Sequence, residues 1–408
     1  MARTKIKTGK FTKTTPGSGR LKGRIPTWMQ PYVDAAWGLR NHWYPAAFSH
    51  EVAEDDIKGV TIGGENILLR RARGKVHALK DECVHRGVRI SAKPTCLTKD
   101  TVTCWYHGFT YNLNDGKLFS IVASPNEPLI GKIGLRTYAV EESHGIIFIY
   151  LGDEGRKPQP LAQDLPPPVP DDYEHRTGYI LGKNVEVLGI HRKCVGNWRL
   201  AAESGPDPGH VLVHRNSALI LSQDIGLALG EARRGPKSIV VDEKDWPRGV
   251  YKDYDHMDFV MENKALNIKA RGKKAPVAVR VSLYLPGVLF VENWPIYGMA
   301  QYEFYVPIDA HHHDYWQVLT KICNTDEERE DFRIRYKHAW EELALKSGFN
   351  DDDIFPREAM ESFYEDNRRG WAEEKLFSLD ELTIRWRRLV VKYARGVQPP
   401  PGVFPAGG

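Results

Sequence analysis

The pattern of apolar and polar residues divides the chain into a region of short strands and a later region of mixed strands and helices. Between residues 42 and 157, apolar and polar residues alternate in short runs that are separated by Gly, Asp and Asn. Such alternation between turn residues is typical of antiparallel strands. The strands predicted for this region are 59–63, 67–70, 76–79 and 146–151. We therefore predict a small antiparallel β domain over residues 42–157.

The second region follows a Pro-rich linker at 158–170. Apolar residues at helical spacing alternate there with strand-like runs, which is typical of an α+β domain with an antiparallel sheet. We place this domain at 171–396. Its predicted strands are 238–241, 277–285, 289–293 and 301–307, and its predicted helices are 325–346, 358–366 and 379–393.

The two ends of the chain are expected to lie outside the packed core. Residues 1–25 carry eight Lys or Arg and no acid, which predicts a disordered basic tail. A transit peptide is disfavoured because the segment lacks an amphipathic apolar face. A helix within 26–41 is predicted to pack on the α+β domain, since its apolar residues recur at helical spacing. Residues 397–408, which contain a Pro-Pro-Pro-Gly run, are predicted to be an unpacked tail.

Composition narrows the possible partners and the compartment. The 408 residues suffice for two domains, and 57 basic against 53 acidic residues give a net charge of +4. This charge is too small to indicate nucleic acid or an anionic membrane as a partner. No apolar run approaches the ~20 residues that cross a bilayer, and no secretory signal is visible. Cys96, Cys194 and Cys323 lack a disulfide-framework spacing, which fits a reducing cytoplasm.

Two short pairs of cysteine and histidine lie within the predicted β domain. Cys83 and His85 form the first pair, and Cys104 and His107 form the second. A Rieske 2Fe-2S cluster takes both cysteines on one iron and both histidines on the other. Zinc is the alternative, but zinc fingers usually take two cysteines from one loop and two histidines from another. The four residues therefore predict a Rieske cluster.

A second metal site is suggested by His210 and His214, which lie on one face if the segment is a helix. An isolated pair of this kind is more often part of an ordinary helix, but a Rieske cluster needs an acceptor for its electrons. Two histidines and one carboxylate leave positions open for O2 and substrate on ferrous iron. A zinc protease is disfavoured because Val211 stands where that motif has glutamate. The candidates for the carboxylate are Asp351, Asp352 and Asp353, which form an acidic run before a predicted helix. Such a run is also a good N-cap, and chemistry alone does not choose among the three.

Three further polar features have weaker interpretations. Glu203 and Asp207 precede the histidine pair, and each can simply be a helix-start residue. Asp207, three residues before His210, has the better claim to contact a metal ligand. The three consecutive histidines at 311–313 cannot all face one site, and we predict a surface turn there.

Together these residues resemble the terminal oxygenase component of the Rieske non-haem iron ring-hydroxylating oxygenases, and the resemblance runs from about Trp28 to Tyr393. Within the family it most resembles the carbazole-type members. No further cysteine stands beside His85 or His107, which resembles the oxygenase type of Rieske centre. The chain departs from the family at Ser204, where asparagine is common. The motifs that carry the resemblance are Gly38-Leu-Arg-Asn-His-Trp-Tyr-Pro, Cys83-Val-His-Arg-Gly-Val, Cys104-Trp-Tyr-His, Asp207-Pro-Gly-His-Val-Leu-Val-His, Leu285-Pro-Gly-Val-Leu, Tyr305-Val-Pro-Ile-Asp and Gly348-Phe-Asn-Asp-Asp-Asp-Ile with Arg357-Glu-Ala-Met.

The resemblance implies a ring-shaped homotrimer whose catalytic domains are antiparallel sheets covered by helices. It implies that His210, His214 and Asp353 hold a mononuclear Fe(II). It also implies that Asp207 links His107 of one subunit to His210 of the next. The implied substrate pocket, in which the Gly205 carbonyl accepts a substrate N–H, consists of Gly205, Ala278, Val281, Leu289, Val291, Trp294 and Phe349.

The implied function is angular dioxygenation of carbazole or a related tricyclic aromatic. The electrons are expected from a ferredoxin and, through it, from a NAD(P)H-dependent reductase. A Rieske monooxygenase or O/N-demethylase uses the same metals and remains an alternative. An electron carrier or a zinc-stabilised binding protein without the second iron is the alternative from another class.

Overall fold

The computed structural model describes most of the chain. Several segments lie outside the described part. They are the basic tail up to residue 23, the end of the Pro-rich linker, the flanks of the predicted strand at 238–241, Ala278 and the last six residues. The described residues are 24–166, 177–207, 209–217, 239–240, 256–261, 279–292, 294–296, 298–366, 370–377 and 380–402.

The N-terminal β domain consists of three antiparallel sheets. The first contains β1, β10 and β9 in that order, the second β2, β3, β4 and β8, and the third β5, β6 and β7. The predicted strand at 146–151 coincides with β10, whose six residues are all buried. The strands are β1 (His42–Phe48), β2 (Ile57–Ile62), β3 (Glu65–Ala72), β4 (Lys75–Lys80), β5 (Thr101–Thr103), β6 (Phe109–Asn112), β7 (Leu118–Ile121), β8 (Thr137–Tyr138), β9 (Val140–Ser143) and β10 (Ile146–Leu151).

The second region contains one antiparallel sheet of seven described strands in the order β11, β17, β16, β15, β14, β13, β12. Strands that are consecutive in the chain pair as antiparallel neighbours from β12 to β17, whereas β11 pairs with β17 along its whole length at the other edge. The predicted α+β class is confirmed. The strands are β11 (Val185–Val195), β12 (Ile239–Val240), β13 (His256–Met261), β14 (Val279–Tyr284), β15 (Val288–Glu292), β16 (Met299–Pro307) and β17 (His312–Ile322).

Helices accompany this sheet. The predicted helix at 325–346 begins with a capping box between Thr325 and Glu328 and continues beyond Arg335 as a π-helix over Tyr336–Lys346. None of the described helices is long and apolar enough to cross a bilayer. The α-helices are α1 (Gln30–Asp34), α2 (Trp198–Ser204), α3 (Asp326–Arg335), α4 (Ile354–Glu361), α5 (Gly370–Glu373) and α6 (Glu381–Tyr393).

The N-terminal helical segment packs on the catalytic region through the apolar face that its spacing predicts. Tyr32 and Val33 of α1 belong to the same buried cluster as Trp386 of α6. The segment ends at Gly38, which has a φ of +104°. A Cβ at this position would lie 2.4 Å from the Cγ of Pro307, so only glycine fits this turn.

A continuous apolar core joins the N-terminal β domain to the catalytic sheet. Phe148 of β10 meets Phe304 of β16 with ring centroids 6.2 Å apart. Phe48, at the end of β1, meets Trp316 of β17 at 4.8 Å. The two regions are therefore held against each other by buried rings as well as by the linker.

The surface turn predicted at 311–313 is wrong for its last histidine. Strand β17 begins at His312, and His313 is fully buried. The Nδ1 of His313 donates to the carbonyl of Gly196 at 2.7 Å. Burial, together with the nearby Arg357, lowers the pKa of His313 to about 3, so the ring is neutral. Only His311 remains exposed, and it pairs with Glu361 at 2.7 Å.

Candidate metal centres

The two Cys-His loops of the β domain are matched turns. In each loop the cysteine N–H donates to the carbonyl five residues later, at 3.0 Å for Cys83 and 2.7 Å for Cys104. Gly87 and Gly108, each four residues after its cysteine, donate back to the cysteine carbonyl at 2.8 and 3.0 Å. These glycines have φ values of +70° and +73°, a region that other residues rarely adopt. The backbone thus presents the two cysteines in the same way.

The four side chains of these loops converge. The thiols of Cys83 and Cys104 are buried, and the Nδ1 atoms of His85 and His107 lie 3.1 Å apart nearer the surface. Two nitrogen ligands that are each about 2 Å from one metal ion, at roughly a right angle, are about 3 Å apart. Both imidazoles therefore fit one iron, and the two buried thiols are left for the other iron of a Rieske cluster. The indole N–H of Trp105 donates across to the first loop and ties the two loops together.

Tyr111 contacts this group and was not singled out in the sequence. Its hydroxyl lies 3.1 Å from the Sγ of Cys83 and accepts a hydrogen bond from the N–H of Val84 at 3.3 Å. Burial, reinforced by the neighbouring Cys83, raises the pKa of Tyr111 above its usual range, so the phenol keeps its proton. The hydroxyl proton is therefore available to the cysteine sulfur.

His210, His214 and Asp353 form the second group. One candidate ligand atom of each lies within 4.8 Å of the others. The Oδ1 of Asp353 is 3.6 Å from the Nε2 of His210 and 3.4 Å from the Nε2 of His214. The histidines lie on a 3-10 helix, His210–Asn216, rather than the expected α-helix. Both nitrogens of His214 are buried without a hydrogen-bond partner in the described part of the chain, a state that a bound metal would relieve.

The structure distinguishes the three acids of the run 351–353. Asp351 is half exposed and pairs with Arg192 at 2.9 Å. Asp352 lies 3.4 Å from the Nδ1 of His214, on the side of the ring away from Asp353. Asp353 is the buried one, and although it is the N-cap residue of α4, its side chain makes no capping hydrogen bond. The geometry therefore favours Asp353 as a ligand and Asp352 as a residue that orients His214.

Asp353 remains charged in spite of its burial. Burial alone would raise the pKa of Asp353, but the guanidinium of Arg357 and the two histidines hold it well below its usual range. Arg357 lies one turn later on α4, with its Nη2 3.6 Å from the Oδ2 of Asp353. The i,i+4 spacing of an acid and an arginine is the sequence signal for this contact.

The expected pocket residues lie in two groups. Gly205, at the C-terminal end of α2, is packed so closely on Leu289 that a Cβ there would lie 2.9 Å from Leu289. Helix-end carbonyls have no partner within the helix, so a polar ligand group can use that of Gly205. Val281 and Val291 are cross-strand partners on β14 and β15, beside Leu289.

The second group is aromatic. The ring of Trp294 meets the ring of Phe349 with centroids 4.6 Å apart, and Phe349 stacks on His214. Ala278 lies outside the described residues. The aromatic stack therefore reaches His214, and Val291 of the apolar group packs against the same buried cluster as Phe349.

Two acidic residues, Glu203 and Asp207, differ from expectation. Glu203 lies near the end of α2, where Arg387 donates to its two oxygens at 2.8 and 3.0 Å, so the helix-start interpretation is wrong. Asp207 contacts the Nδ1 of His210 through its backbone carbonyl, not through its carboxylate. The carboxylate instead accepts the N–H of Gly209 at 2.7 Å. The carbonyl contact still fixes the tautomer of His210 and leaves its Nε2 directed at Asp353.

Comparison with known proteins covers nearly the whole chain. Residues 42–139 match the Rieske [2Fe-2S] domain, and residues 150–398 match the homotrimeric ring hydroxylase family. The terminal oxygenase component of carbazole 1,9a-dioxygenase from Metapseudomonas resinovorans is 43% identical over 92% of this chain and 96% of its own length. A curated relative of the same name from Sphingomonas sp. is also 43% identical, over 92% of this chain and 97% of its own.

Solved structures show the same similarity. The 2-oxoquinoline 8-monooxygenase component has a TM-score of 0.80 and 42% identity, with 92% of this chain and 91% of that chain covered. The terminal oxygenase of carbazole 1,9a-dioxygenase from Novosphingobium sp. KA1 has a TM-score of 0.76 and 39% identity, with 91% and 97% covered. A reduced complex between oxygenase and ferredoxin in carbazole 1,9a-dioxygenase has a TM-score of 0.74 and 39% identity, with 90% and 93% covered.

Proposed function

The chain belongs to the homotrimeric ring hydroxylases that carry a Rieske [2Fe-2S] domain, and from this premise we propose that it is the terminal oxygenase of a carbazole-type aromatic-ring dioxygenase. The observation that carries the proposal is the convergence of His210, His214 and Asp353, with the ring of Phe349 stacked on His214. The Rieske-type loops of the same chain offer the electron source that such a centre needs.

We assign the cluster to the four residues of the matched loops, with Cys83 and Cys104 on one iron and His85 and His107 on the other. The mononuclear iron is assigned to His210, His214 and Asp353. Once bound, the cluster supplies single electrons, and the ferrous iron binds and activates O2. His210 and His214 would supply two imidazoles and Asp353 one carboxylate oxygen, and the chain's part is to hold these three groups together.

The proposed substrate is carbazole or a related tricyclic aromatic. Apolar residues on β14 and β15 and the rings of Trp294 and Phe349 suit a flat aromatic molecule. The carbonyl of Gly205 is the proposed acceptor for the substrate N–H. We include Ala278 in this pocket by its position in the sequence. One hydrogen bond and an apolar wall would orient the ring carbon bonded to nitrogen toward the metal.

Angular dioxygenation balances as one O2, two electrons and two protons for each substrate. Both oxygen atoms are added to adjacent ring carbons, of which one carries the nitrogen. The resulting hemiaminal then breaks its C–N bond and gives an aminobiphenyl diol. The two electrons are proposed to come from a ferredoxin, which is reduced by a NAD(P)H-dependent reductase. A solved relative of the same family is described as a complex with ferredoxin.

The homotrimer is part of the proposed mechanism. In a ring of three subunits, the cluster of one chain is proposed to serve the iron of the next, with Asp207 between His107 and His210 of neighbouring subunits. Asp207 already contacts His210 within one chain through its carbonyl. We place the protein in the cytoplasm, where reduced nicotinamide is available and where Cys96, Cys194 and Cys323, which form no disulfide, are stable.

Product analysis tests the function. The purified protein is combined with a ferredoxin and its reductase under labelled O2 and offered carbazole, dibenzofuran, naphthalene and a methoxybenzoate. We expect carbazole or a close tricyclic to be preferred and to give a diol with two labelled oxygen atoms. Preference for the methoxybenzoate with release of formaldehyde would overturn the dioxygenase proposal. Iron content separates the oxygenase, with three irons per chain, from an electron carrier with two.

Monooxygenation is the second candidate. It is favoured by the similarity to the 2-oxoquinoline 8-monooxygenase component, which covers as much of this chain as the carbazole relatives do. Adding 2-oxoquinoline to the substrate panel distinguishes the two. A product with one labelled oxygen atom, formed faster than any carbazole product, would establish the monooxygenase.

A further inference from the structure

Arg357 is a fully buried arginine directly behind the mononuclear site. It follows Asp353 by one turn, and its Nη2 lies 3.6 Å from the Oδ2 of that aspartate. The other carboxylate oxygen, Oδ1, is the one that lies near the Nε2 atoms of both histidines. The two oxygens of Asp353 are therefore divided between the guanidinium and the histidines.

The guanidinium is fixed by several contacts. Its Nε donates to the Oγ of Ser204 at 3.0 Å. Its carbon lies 4.5 Å from the ring centroid of Tyr315 and 5.3 Å from that of Tyr305, so two aromatic rings flank it. Ser204, the last residue of α2, therefore helps to fix the guanidinium.

A second buried carboxylate balances the charge of Arg357. Glu303 lies 3.9 Å from the Nη2 of Arg357 and is almost fully buried. It accepts hydrogen bonds from Tyr305 at 2.6 Å, from Gln301 at 2.6 Å and from Asn350 at 2.7 Å. Three donors hold the side chain of Glu303 in one place. Glu303 can therefore compensate the arginine, and the charge of Asp353 remains available to a metal ion.

Both Nη atoms of Arg357 are buried and have no hydrogen-bond acceptor within the described ranges. A buried donor without an acceptor is costly, and the nearest carboxylate oxygen is the Oδ2 of Asp353. The planar guanidinium of arginine presents its N–H groups in fixed directions, whereas the N–H groups of a lysine ammonium rotate. An arginine therefore fixes the position of a carboxylate oxygen better than a lysine does. We propose that Arg357 is a positioning residue that holds Oδ2 of Asp353 and so presents Oδ1 alone to the mononuclear metal, with Glu303 and Ser204 fixing the guanidinium.

This inference rests on the proposed function, because it needs a metal between Asp353 and the histidines. Its consequence is that Arg357 contributes to metal affinity without touching the metal. Loss of a group that orients a metal ligand typically weakens metal binding about 10-fold to 100-fold. The same loss frees Oδ2, so the ligand set around the metal should change as well as the affinity.

The test compares Arg357→Met and Arg357→Lys with the wild-type protein. Each full-length protein is prepared with its cluster intact, which its visible absorption reports, and the mononuclear metal is removed with a chelator. Co²⁺ is then titrated, and its visible bands give both the dissociation constant and the ligand set. We expect Arg357→Met to bind Co²⁺ about 10-fold to 100-fold more weakly, with altered bands, and Arg357→Lys to lie between it and the wild type.

Arg192→Met is the matched control, because Arg192 pairs with Asp351 two residues before the ligand. We expect this variant to bind Co²⁺ as the wild type does. Wild-type affinity and bands in Arg357→Met would overturn the inference. If that variant loses its cluster, Arg357→Lys decides, and an unchanged dissociation constant there overturns the inference. A wild-type protein that takes up no Co²⁺ contradicts the proposed function itself.

Discussion

The ring of Phe349 lies against the imidazole of His214, with centroids 3.6 Å apart and planes inclined by 14°. Phe349 therefore contacts a candidate metal ligand as well as the proposed substrate pocket. Phe349→Leu keeps much of the apolar volume but removes the flat face that fixes the imidazole. We expect it to lose the mononuclear iron to a chelator several-fold faster than the wild type, while the cluster absorption is unchanged. Iron analysis during dialysis measures this loss.

Trp294→Leu is the control for that prediction. Trp294 meets the ring of Phe349 at 4.6 Å, one ring further from the histidine. We expect this variant to retain its iron and to change only its preference among aromatic substrates. Equal rates of iron loss in Phe349→Leu and the wild type would show that the stack does not hold His214.

The acidic run makes a graded prediction about the mononuclear site. Asp353→Ala should abolish the third iron and turnover, because the buried Oδ1 lies near both histidines. Asp352→Ala should weaken iron binding only in part, since Asp352 lies on the Nδ1 side of His214. Asp351→Ala should have no effect on iron, because its partner is Arg192. Iron content and cluster absorption decide the order, and an inactive Asp352→Ala beside an active Asp353→Ala would reverse our ligand choice.

Tyr111 should raise the reduction potential of the cluster. Its hydroxyl lies 3.1 Å from the Sγ of Cys83 and would donate to that sulfur as a cluster thiolate, and hydrogen bonds to cluster sulfurs stabilise the reduced, more negative state. Tyr111→Phe removes only the hydroxyl. We expect a lower potential by on the order of tens of millivolts, where 59 mV is a tenfold change in a one-electron equilibrium. Redox titration followed by visible spectroscopy measures it, and Tyr106→Phe, an exposed tyrosine of the other loop, is the control.

The sequence predicted most of the metal-binding residues but fewer of the strands around them. The spacing of cysteines and histidines predicted the two ligand loops because metal ligation depends on a few side chains close together in the chain. Strand β17 was not predicted because it begins with His312 and His313. A run of polar residues looks the same in the sequence whether it lies in a surface turn or in a buried strand. The burial of His313 depends on Gly196, which is more than a hundred residues away.

The contacts that support the ligands of the mononuclear site could not be predicted from the local sequence pattern either. Chemistry alone left three acids open at 351–353, and only the position of His214 relative to them separates their roles. Arg357 was visible as an i,i+4 partner of Asp353, but Glu303 reaches it from the middle of the sheet. Contacts between distant segments cannot be read from periodicity, which reports the face of an element and not its neighbour.

His191 connects the catalytic sheet to the N-terminal β domain in a pH-dependent way. Its Nδ1 lies 2.8 Å from Asp314 and its Nε2 lies 3.1 Å from Glu51, which also pairs with Lys58. Burial lowers the pKa of His191, but Asp314 and Glu51 raise it more, to about 9. Burial raises the pKa of Glu51, but His191 and Lys58 lower it more, to about 2.

The sign of the pH effect follows from these shifts. The contribution of the charged His191 to the free energy of unfolding is complete below its unfolded pKa of about 6.5 and is lost as the pH rises through about 9. The contribution of the charged Glu51 is present above its unfolded pKa of about 4.5 and is lost as the pH falls through about 2. We expect the melting temperatures of the wild type and His191→Gln to differ most near pH 6 and least near pH 10. A difference that does not vary with pH would show that the ring acts only through packing on Trp316.

Asp207 provides the last prediction, which concerns electron transfer between subunits of the proposed homotrimer. Within one chain, its carbonyl accepts from His210 and its carboxylate accepts the N–H of Gly209. Asparagine retains the carbonyl and an amide oxygen for Gly209, so Asp207→Asn should keep three irons per chain and the trimer. It lacks the charge that we propose to lie between His107 of one subunit and His210 of the next.

We therefore expect the reduced cluster of Asp207→Asn to be oxidised by O2, in the presence of substrate, at least about 10-fold more slowly than that of the wild type. A single-turnover experiment on the pre-reduced protein measures this rate directly, without ferredoxin. Asp351→Asn is the control, because Asp351 is an exposed acid paired with Arg192, and its cluster should be oxidised at the wild-type rate. If the Asp207→Asn cluster is oxidised at the wild-type rate, or if the wild-type protein is active as a monomer, electrons do not pass between subunits by way of Asp207.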